Sequence, residues 1–259
     1  MASSNTESPR SSEDRQSEIL LFIKEKGSAT IAEMAIHFGV SEMTVRRGLH
    51  KLADAGLAIR TPGGAMAIPS GSMERSFLER SAKASGSKDA IGREAARLVQ
   101  DGEIVVLDSG TTTRYLARYL ASRHNVTVIT TSLAVLEELA GSASVQVRLT
   151  GGLYRRASHD LTGSAVLEAL SGIHADKVFF GAAAISFQKG VMNYDVEMPR
   201  AFLRAARERI LVVDSSKIGT EAVYRLCAVE KCDLIVTDKA VRAGDLARLR
   251  KLTSVLVAE

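Results

Sequence analysis

The sequence predicts an α/β protein in two parts: a small helical domain that ends in a β-hairpin, and a larger domain built around a parallel sheet. Three observations support this. Residues 15–70 contain three short amphipathic stretches and then two apolar runs around a turn. After residue 88, seven apolar runs alternate with six amphipathic stretches, as in a parallel sheet covered by helices. A polar segment rich in Gly and Ser lies between the two parts and predicts a linker over 71–88.

The first domain is expected to follow a Ser-rich tail, residues 1–14, which has too few large apolar side chains to fold and is predicted to be disordered. Its first helix is predicted to start at Arg15 and to end at Gly27. The apolar residues of this helix share one face: Ile19, Leu20 and Ile23. A single amphipathic face predicts that the helix packs on a small core.

Capping residues mark the second and third helices. Thr30 and Glu33 have the spacing of a capping box and open a helix that runs through Phe38. Ser41 is placed to cap the third helix, and Gly56 stands where a helix C-cap glycine belongs. The core-facing residues of the third helix follow at i, i+4 and i+7: Val45, Leu49 and Leu52. The segment "LAIRTPGGAMAI" then predicts a hairpin around Pro-Gly-Gly.

The larger domain is expected to span residues 89–259. Its apolar runs predict seven strands, at 104–107, 126–129, 145–149, 177–181, 209–213, 234–237 and 254–257. Its amphipathic stretches predict six helices, near 89–100, 112–121, 132–140, 163–171, 198–206 and 243–251. Strands that alternate with helices favour a parallel, Rossmann-like sheet, and ligands of such sheets bind at the C-terminal ends of the strands.

Composition excludes several function classes. The chain has 259 residues but only 5% aromatic residues and no Trp, so stacking on aromatic side chains is not expected as the main binding mode. The net charge of +4 is not concentrated: residues 1–72 carry eight basic and eight acidic side chains. The two cysteines, Cys227 and Cys232, lack metal spacing and predict packing thiols. No apolar run could span a membrane, no signal peptide is evident, and a cytoplasmic protein without metal or cofactor is expected.

The third helix has the residues expected of a helix that enters a DNA groove. Two helices separated by "GVS", with a helix before and a hairpin after, match the winged helix-turn-helix plan. The face opposite the core residues carries polar and basic side chains, namely Ser41, Thr44, Arg46, Arg47, His50 and Lys51, and Arg60 lies beside the hairpin. Arg can pair with guanine, whereas hydroxyls and Lys suit phosphates. The alternative is a small helical domain whose charged face only meets solvent.

Hydroxyls and glycines follow several of the predicted strands. The strand at 104–107 runs into "DSGTT", and comparable residues follow the other strands. The candidate ligand residues are Asp108, Ser109, Gly110, Thr111, Thr112, Thr131, Ser132, Gly151, Gly152, Gly181, Glu197, Asp214 and Lys217. Hydroxyls, exposed backbone N–H groups and a Lys at one sheet edge suit a phosphate monoester. Each segment alone is weak evidence, because Ser and Thr at a helix start often serve only as N-caps.

Both sets of motifs resemble one family. "VSEMTVRRGL" and "RTPGGA" resemble the DNA-binding segment of the DeoR family of bacterial transcriptional regulators, whose core reads VS-x-x-T-[IV]-R-R-D-L with an R-x-H-G-G-A wing. Two residues depart from that pattern: Gly48 replaces the usual Asp and Pro62 the usual wing His. We expect these departures to alter operator preference without removing the Arg pair.

The strand-end motifs also resemble this family, whose sensor domain is similar to ribose-5-phosphate isomerase. The resemblance implies that Asp108, Ser109, Thr111 and Thr112 hold one end of a phosphosugar. It implies that Thr131, Ser132, Gly151, Gly152 and Lys217 complete the site. Because one small module would bind an operator weakly, a homodimer or homotetramer is expected. The implied partners are double-stranded operator DNA and a phosphorylated sugar effector. Repression that is relieved by the effector is implied in the same way.

Two rival functions stay open at this point. A sugar-phosphate isomerase would need a carboxylate to move a proton, and Asp108, Glu197 and Asp214 are candidates. Pro199 stands where the family usually has Lys, which predicts a helix start near the ligand rather than an acid–base pair. An architectural DNA-binding protein would have no effector at all. Binding of phosphosugars, with or without turnover, separates the three functions.

Overall fold

The computed structural model of the chain describes residues 12–54, 57–67 and 77–259, which fall into two units that divide between Lys83 and Ala84. The predicted α/β fold class is confirmed. The first unit contains helices α1 Ser12–Lys26, α2 Ile31–Phe38, α3 Glu42–Asp54 and α4 Phe77–Ala82, and strands β1 Ser28–Thr30, β2 Ala58–Thr61 and β3 Gly64–Ala67.

The apolar residues whose spacing predicted a helix face in the first unit are the residues that form its core. The buried side chains of α1 and α3 are those expected: Ile19, Leu20, Ile23, Val45, Leu49 and Leu52. The capping box of α2 is also present, since Thr30 Oγ1 accepts the Glu33 N–H at 3.2 Å and Glu33 Oε2 accepts the Thr30 N–H at 2.8 Å. Amphipathic helices with satisfied first turns are therefore held on one small core.

The predicted hairpin forms a three-stranded antiparallel sheet in the order β1-β3-β2. Gly63 turns the chain with a φ of 81°, and its carbonyl accepts the Ile31 N–H at 2.8 Å. A Cβ on Gly64 would lie 2.3 Å from the Ala29 carbonyl oxygen. The "PGG" motif thus allows both the turn and the close approach of β3 to β1.

Two helices begin inside segments that were predicted to be a tail and a linker. Helix α1 starts at Ser12, three residues inside the predicted tail, and the first helix of the second unit, α5 Ser85–Arg97, starts inside the predicted linker. Polar residues suit the first turn of a helix, because the backbone N–H groups of that turn have no helical partner and are satisfied by polar side chains or water. Gly56, expected to end α3, lies outside the described residues, as do residues 1–11 and 68–76. The domain boundaries as such stay predictions.

The second unit contains the predicted alternation of strands and helices. Its helices are α5 Ser85–Arg97, α6 Thr111–Leu120, α7 Leu133–Leu139, α8 Ser164–Ser171, α9 Glu197–Arg204 and α10 Ala243–Arg250. Its strands are β4 Ile104–Leu107, β5 Val126–Thr130, β6 Val145–Leu149, β7 Leu153–Arg155, β8 Asp160–Thr162, β9 Ala175–Phe180, β10 Ala184–Ser186, β11 Gly190–Asn193, β12 Ala206–Val212, β13 Tyr224–Cys227, β14 Leu234–Asp238 and β15 Ser254–Ala258.

Seven of these strands form one parallel sheet in the order β15-β14-β12-β9-β4-β5-β6. Neighbouring residues of a strand face opposite sides, so Val106 and Phe180 pack in one core and Val105 and Phe179 in the other. Helices therefore cover both faces, which explains why the strands are continuous apolar runs. The strand order reverses between β4 and β9, and a crevice for ligands is expected outside their C-terminal ends.

Two small sheets were not predicted. Strands β7 and β8 form an antiparallel hairpin, and β10, β11 and β13 form a second antiparallel sheet. Each of these strands has only three or four residues, which is too short for a period of two to be recognised in the sequence. None of the helices in the described ranges is long and apolar enough to cross a membrane.

Candidate functional sites

Helix α3 presents the predicted polar face to solvent. The side chains of Ser41, Arg46, Arg47, His50 and Lys51 are exposed, and Thr44 is half-buried. Ser41 has a structural task as well, since its Oγ accepts the Thr44 N–H at 3.2 Å and lies 2.9 Å from Thr44 Oγ1. The two hydroxyls therefore cap the helix at the end that would approach a phosphate.

The two adjacent arginines of α3 differ in their contacts. Arg46 donates to Glu42 at 3.3 Å, one helical turn earlier, in an exposed ion pair. Arg47 makes no hydrogen bond or ion pair with any residue in the described ranges. Its guanidinium can therefore engage a guanine without first breaking an internal contact.

The same surface contains two side chains that the sequence analysis did not include. Glu42 holds Arg46, and Met43 is a large apolar residue with 65% of its surface exposed in the first turn of α3. An apolar side chain in that position could contact a thymine methyl group in the major groove. The exposed Arg60 lies on β2, in the hairpin, as expected. The sequence contains one signal for Met43: it is an apolar residue between the polar residues Glu42 and Thr44 at the start of the helix.

Gly48, the first departure from the family pattern, is buried and does not lie on the polar face of α3. A Cβ at this position would come within 2.9 Å of the Ile19 Cδ1 atom of α1. Gly48 can therefore influence operator preference only indirectly, through the packing of α3 on α1. Pro62 lies in the turn between β2 and β3.

In the second unit, Asp108 joins the two strands at the point where the strand order reverses. Its Oδ1 accepts the Ser109 N–H at 2.7 Å and its Oδ2 accepts the Gly181 N–H at 3.2 Å. The Asp108 N–H in turn bonds to the Phe179 carbonyl at 3.0 Å. The loops after β4 and β9 are thus fixed to each other, and the predicted residues Asp108, Ser109 and Gly181 lie together.

The start of α6 offers hydrogen-bond donors beside Asp108. Gly110 precedes the helix in an extended conformation, without a side-chain cap, and the first helical bond runs from the Arg114 N–H to the Gly110 carbonyl. The N–H groups of the first turn, Thr111–Thr113, therefore have no helical partner. No acidic residue lies in this turn. Such a terminus favours an anion, and Ser109 and Gly110 are only half-buried, so a ligand can reach it.

A network that the sequence analysis missed surrounds Ser109. Ser109 Oγ donates to Asp160 Oδ2 at 2.6 Å, and Arg155 binds the same carboxylate through Nε at 2.9 Å and Nη2 at 2.7 Å. Arg155 Nη1 also donates to Asp195 at 2.9 Å. Hydrogen bonding to Asp160 raises the pKa of Arg155 above its usual value, against the effect of its burial. Asp195 accepts the Glu197 N–H at 3.0 Å, which connects the start of α9 to the network.

Strand β8 brings the other loops to this place. The Leu161 N–H bonds to the Thr131 carbonyl at 2.9 Å, and Ser132 forms an isolated bridge with Asp160. Ser132 Oγ accepts the Val135 N–H at 3.3 Å, so this hydroxyl caps α7. A Cβ on Gly152 would lie 2.6 Å from the Thr162 carbonyl oxygen. Thr131 and Ser132 are buried, whereas Gly151 and Gly152 are exposed.

The remaining predicted residues lie further along the same edge. Asp214 accepts the Ser216 N–H at 3.1 Å and caps a short 3₁₀ turn that ends at Lys217. Four strand spacings separate β6 from β12, roughly 19 Å at about 4.8 Å per spacing. Gly151 and Lys217 therefore follow the outer strands of the predicted site, and the residues after β4, β5 and β9 form its central group. Glu197 is exposed at the first residue of α9, with Pro199 in the same turn.

The titratable groups of the described ranges include no cluster of three or more residues that could hold a metal ion. The two cysteines contact each other: a hydrogen bond between the thiols lowers the pKa of Cys227 and raises that of Cys232, which burial raises further. Cys232 is buried and Cys227 is half-buried, both against one of the two cores of the second unit.

Comparisons with known proteins agree on one family. Residues 15–70 match the DeoR-like helix-turn-helix domain and residues 83–239 match the DeoR C terminal sensor domain. The chain is 33% identical over 230 residues to the HTH-type transcriptional repressor GlcR of Bacillus subtilis, which covers 88% of each chain. It is 30% identical over 227 residues to the glycerol-3-phosphate regulon repressor of Escherichia coli, which covers 86% of this chain and 90% of the relative.

Among solved structures, ribose 5-phosphate isomerase A from Methanocaldococcus jannaschii is 20% identical and covers 51% of this chain and 53% of its own, with a TM-score of 0.37. At that score the similarity adds nothing to the argument. The two domain matches cover both units, and the relatives are similar over most of their length. The chain therefore belongs to the DeoR family of transcriptional regulators.

Proposed function

We propose that this protein represses a carbohydrate-catabolism operon and is controlled by a phosphorylated sugar that binds outside the C-terminal ends of β4 and β9. The main observation behind this proposal is that hydrogen-bond acceptors and donors lie side by side in the loop between β4 and α6. Asp108 and Ser109 offer oxygens for sugar hydroxyls, and the first turn of α6 offers N–H groups for a phosphate. The names of the two relatives, a GlcR repressor and a glycerol-3-phosphate regulon repressor, support repression and a phosphate ester as effector.

The effector is tested by a thermal-shift screen of the purified protein with phosphosugars and their unphosphorylated counterparts. A ligand that binds only the folded state at about 100 times its Kd adds about 2.7 kcal/mol of stability. We expect at least one phosphosugar to raise Tm, and the matching free sugar to leave it unchanged. A protein whose Tm responds to no phosphosugar would be a DNA-binding protein without this effector.

For DNA recognition we propose that α3 reads the major groove through Arg46 and Arg47, with Ser41, Thr44, His50 and Lys51 as further contacts and Arg60 beside the wing. Arg47→Ala should weaken operator binding by orders of magnitude in an anisotropy titration, because it removes a guanidinium that can pair with guanine. Lys26→Ala removes one positive charge from the end of α1 and serves as the control. Equal losses for the two variants would show that charge alone matters and that α3 is not the reading helix.

We propose that the site senses its ligand and does not convert it. Two of the three candidate bases are already engaged: Asp108 accepts two N–H groups, and Asp214 caps a turn. A carboxylate held in this way orients a ligand hydroxyl more readily than it shuttles a proton. No turnover of pentose or hexose phosphates is therefore expected with purified protein. Turnover that disappears in Glu197→Gln would identify an isomerase.

We also propose a homodimer or homotetramer. A single winged helix buries little surface on DNA, and paired half-sites require paired recognition helices. Sedimentation equilibrium of the full chain at micromolar concentration should give two or four copies, and a monomer that still binds a palindromic operator with a single step would contradict this.

A further inference from the structure

The direction of one hydrogen bond at the site determines what Ser109 can do for a ligand. Asp160 is 1% exposed, and its carboxylate takes both the Ser109 hydroxyl and two nitrogens of Arg155. A carboxylate that receives two hydrogen bonds from a guanidinium acts as an acceptor. The single hydroxyl hydrogen of Ser109 is therefore donated to Asp160.

Ser109 Oγ is consequently available to a ligand only as an acceptor. Its oxygen keeps lone pairs, the residue is half-buried and reachable, and the neighbouring Asp108 is also an acceptor. The phosphate group of a monoester offers acceptor oxygens, and neither Ser109 Oγ nor the Asp108 carboxylate has a hydrogen to donate to them, so contact with this end of the loop is unfavourable. A sugar hydroxyl, which can donate, fits the same position.

The following turn has the opposite polarity. The N–H groups of Thr111–Thr113 lie at the positive end of the α6 dipole and have no helical partner. The loop therefore changes from acceptors to donors within three residues. A ligand with a donor at one end and an anion at the other would match both halves.

We propose that Asp160, held by Arg155, is a positioning residue that fixes Ser109 as a hydrogen-bond acceptor, so that the site selects hydroxyl-bearing phosphate monoesters over inorganic phosphate. This rests on the proposed effector function and sharpens it. The family resemblance groups Ser109 with Asp108, Thr111 and Thr112 at one end of a phosphosugar, whereas the contacts of Ser109 favour the hydroxyl end. Thr111 and Thr112 then belong to the phosphate end.

The test is isothermal titration calorimetry of the full chain with inorganic phosphate and with glycerol 3-phosphate, ribose 5-phosphate and glucose 6-phosphate. In the wild type, the tightest of the three esters should bind more tightly than inorganic phosphate. Ser109→Ala should weaken that ester about tenfold, which corresponds to about 1.4 kcal/mol, and should leave inorganic phosphate within about twofold. Equal weakening of both probes would mean that Ser109 donates to the phosphate, and no weakening of either would mean that it contacts no ligand. Both results overturn the inference.

Arg155→Gln and Arg156→Gln form a matched pair of neighbouring charge removals. Arg155→Gln frees Asp160 and should lower the ratio of ester affinity to phosphate affinity, and Arg155→Lys should restore part of it through one remaining ion pair. Arg156→Gln should keep the wild-type ratio. A loss of folding would lower both affinities together and would not change the ratio. An unchanged ratio in folded Arg155→Gln would overturn the positioning role.

The wild type separates failure of the inference from failure of the effector proposal. Binding of no ester and no phosphate by the wild type would overturn the phosphosugar effector and this inference with it. Tight ester binding in the wild type with equal losses in Ser109→Ala would leave the effector in place and overturn only the inference.

Discussion

Gly151 and Gly152 are consecutive, exposed and both in the left-handed region, with φ angles of 78° and 117°. Only Gly152 lies close to another strand, where a Cβ would come within 2.6 Å of the Thr162 carbonyl oxygen and 3.0 Å of Val166 Cγ2. A Cβ on Gly151 would have no atom within 4 Å. The pair thus separates the cost of a backbone conformation from the cost of a contact.

Gly151→Ala should lower the free energy of unfolding by about 1 kcal/mol, the usual cost of a left-handed non-glycine residue. Gly152→Ala should cost about 1–3 kcal/mol more, because β8 and α8 must move away from the added carbon. Urea unfolding of the two variants measures the difference directly. Equal losses would mean that β8 does not lie against Gly152.

Met43 is a residue-scale feature of the other unit, since it exposes a large apolar side chain at the start of α3. Replacing single thymines of a selected operator by deoxyuridine removes one methyl group each. At one position we expect the wild type to lose affinity by about 1 kcal/mol, the order of one apolar base contact. Met43→Ala should show no further loss at that position, whereas Met66→Ala, another exposed methionine, should respond as the wild type does. A thymine effect that persists in Met43→Ala would exclude the contact.

At the scale of elements, α6 and α7 are joined by one acidic residue. Glu138 of α7 accepts from Arg114 at 2.8 Å and from Arg118 at 3.1 Å, and Glu138 and Arg114 are 15% and 18% exposed. Burial by itself raises the pKa of Glu138, but the two arginines outweigh it, and the net pKa lies below the usual value. The ion pairs of Glu138 with the two arginines thus form a clamp between α6 and α7. This clamp holds α6, whose first turn supplies the N–H groups of the candidate ligand site.

Because the folded state lowers the pKa of Glu138, the clamp stabilises the protein above the usual carboxyl pKa of 4.5 and loses its effect as pH falls through the lowered value. Glu138→Gln should cost about 1 kcal/mol at pH 7, since it removes the negative charge that Arg114 and Arg118 share. The loss should shrink as pH falls below the usual carboxyl pKa of 4.5. The exposed neighbour serves as control: Glu137→Gln should change stability little at any of these pH values. A loss in Glu138→Gln that does not depend on pH would mean that packing, not charge, holds the helices.

At the scale of the whole molecule, regulation requires that effector and operator influence each other's affinity. If the phosphosugar weakens operator binding by a given factor, the operator must weaken phosphosugar binding by the same factor. Factors of about 5–150 are typical. An effector that binds equally well with and without DNA could not relieve repression, however tightly it binds.

This reciprocity is measured with one preparation of protein. Operator titrations by anisotropy, with and without saturating phosphosugar, give one factor, and calorimetric titrations of phosphosugar, with and without saturating operator, give the other. We expect the two factors to agree. A protein with Ser109→Ala should need more phosphosugar to reach the same factor. Disagreement beyond error would mean that the sugar acts at a second site or changes the oligomeric state.

Local physics was sufficient for much of the fold. The capping box of Thr30 and Glu33, the core face of α3 and all seven strands of the parallel sheet are determined by residue spacing, and each is present. The strand ends could also be assigned to one edge from the sequence, because parallel strands point the same way. The residues that follow them were therefore predicted as one group.

Only the tertiary structure decided which of these residues meet. The reversal of strand order between β4 and β9 joins Asp108 to Gly181, 73 residues away, and the hairpin of β7 and β8 brings Asp160 to Ser109, 51 residues away. No local sequence pattern predicts either contact, because strand order and long-range packing determine the hydrogen-bond partners. The sequence alone thus determined the two domains and the chemistry of the loop. The packing decided that Ser109 donates its hydroxyl hydrogen to Asp160, since that carboxylate comes from a distant strand.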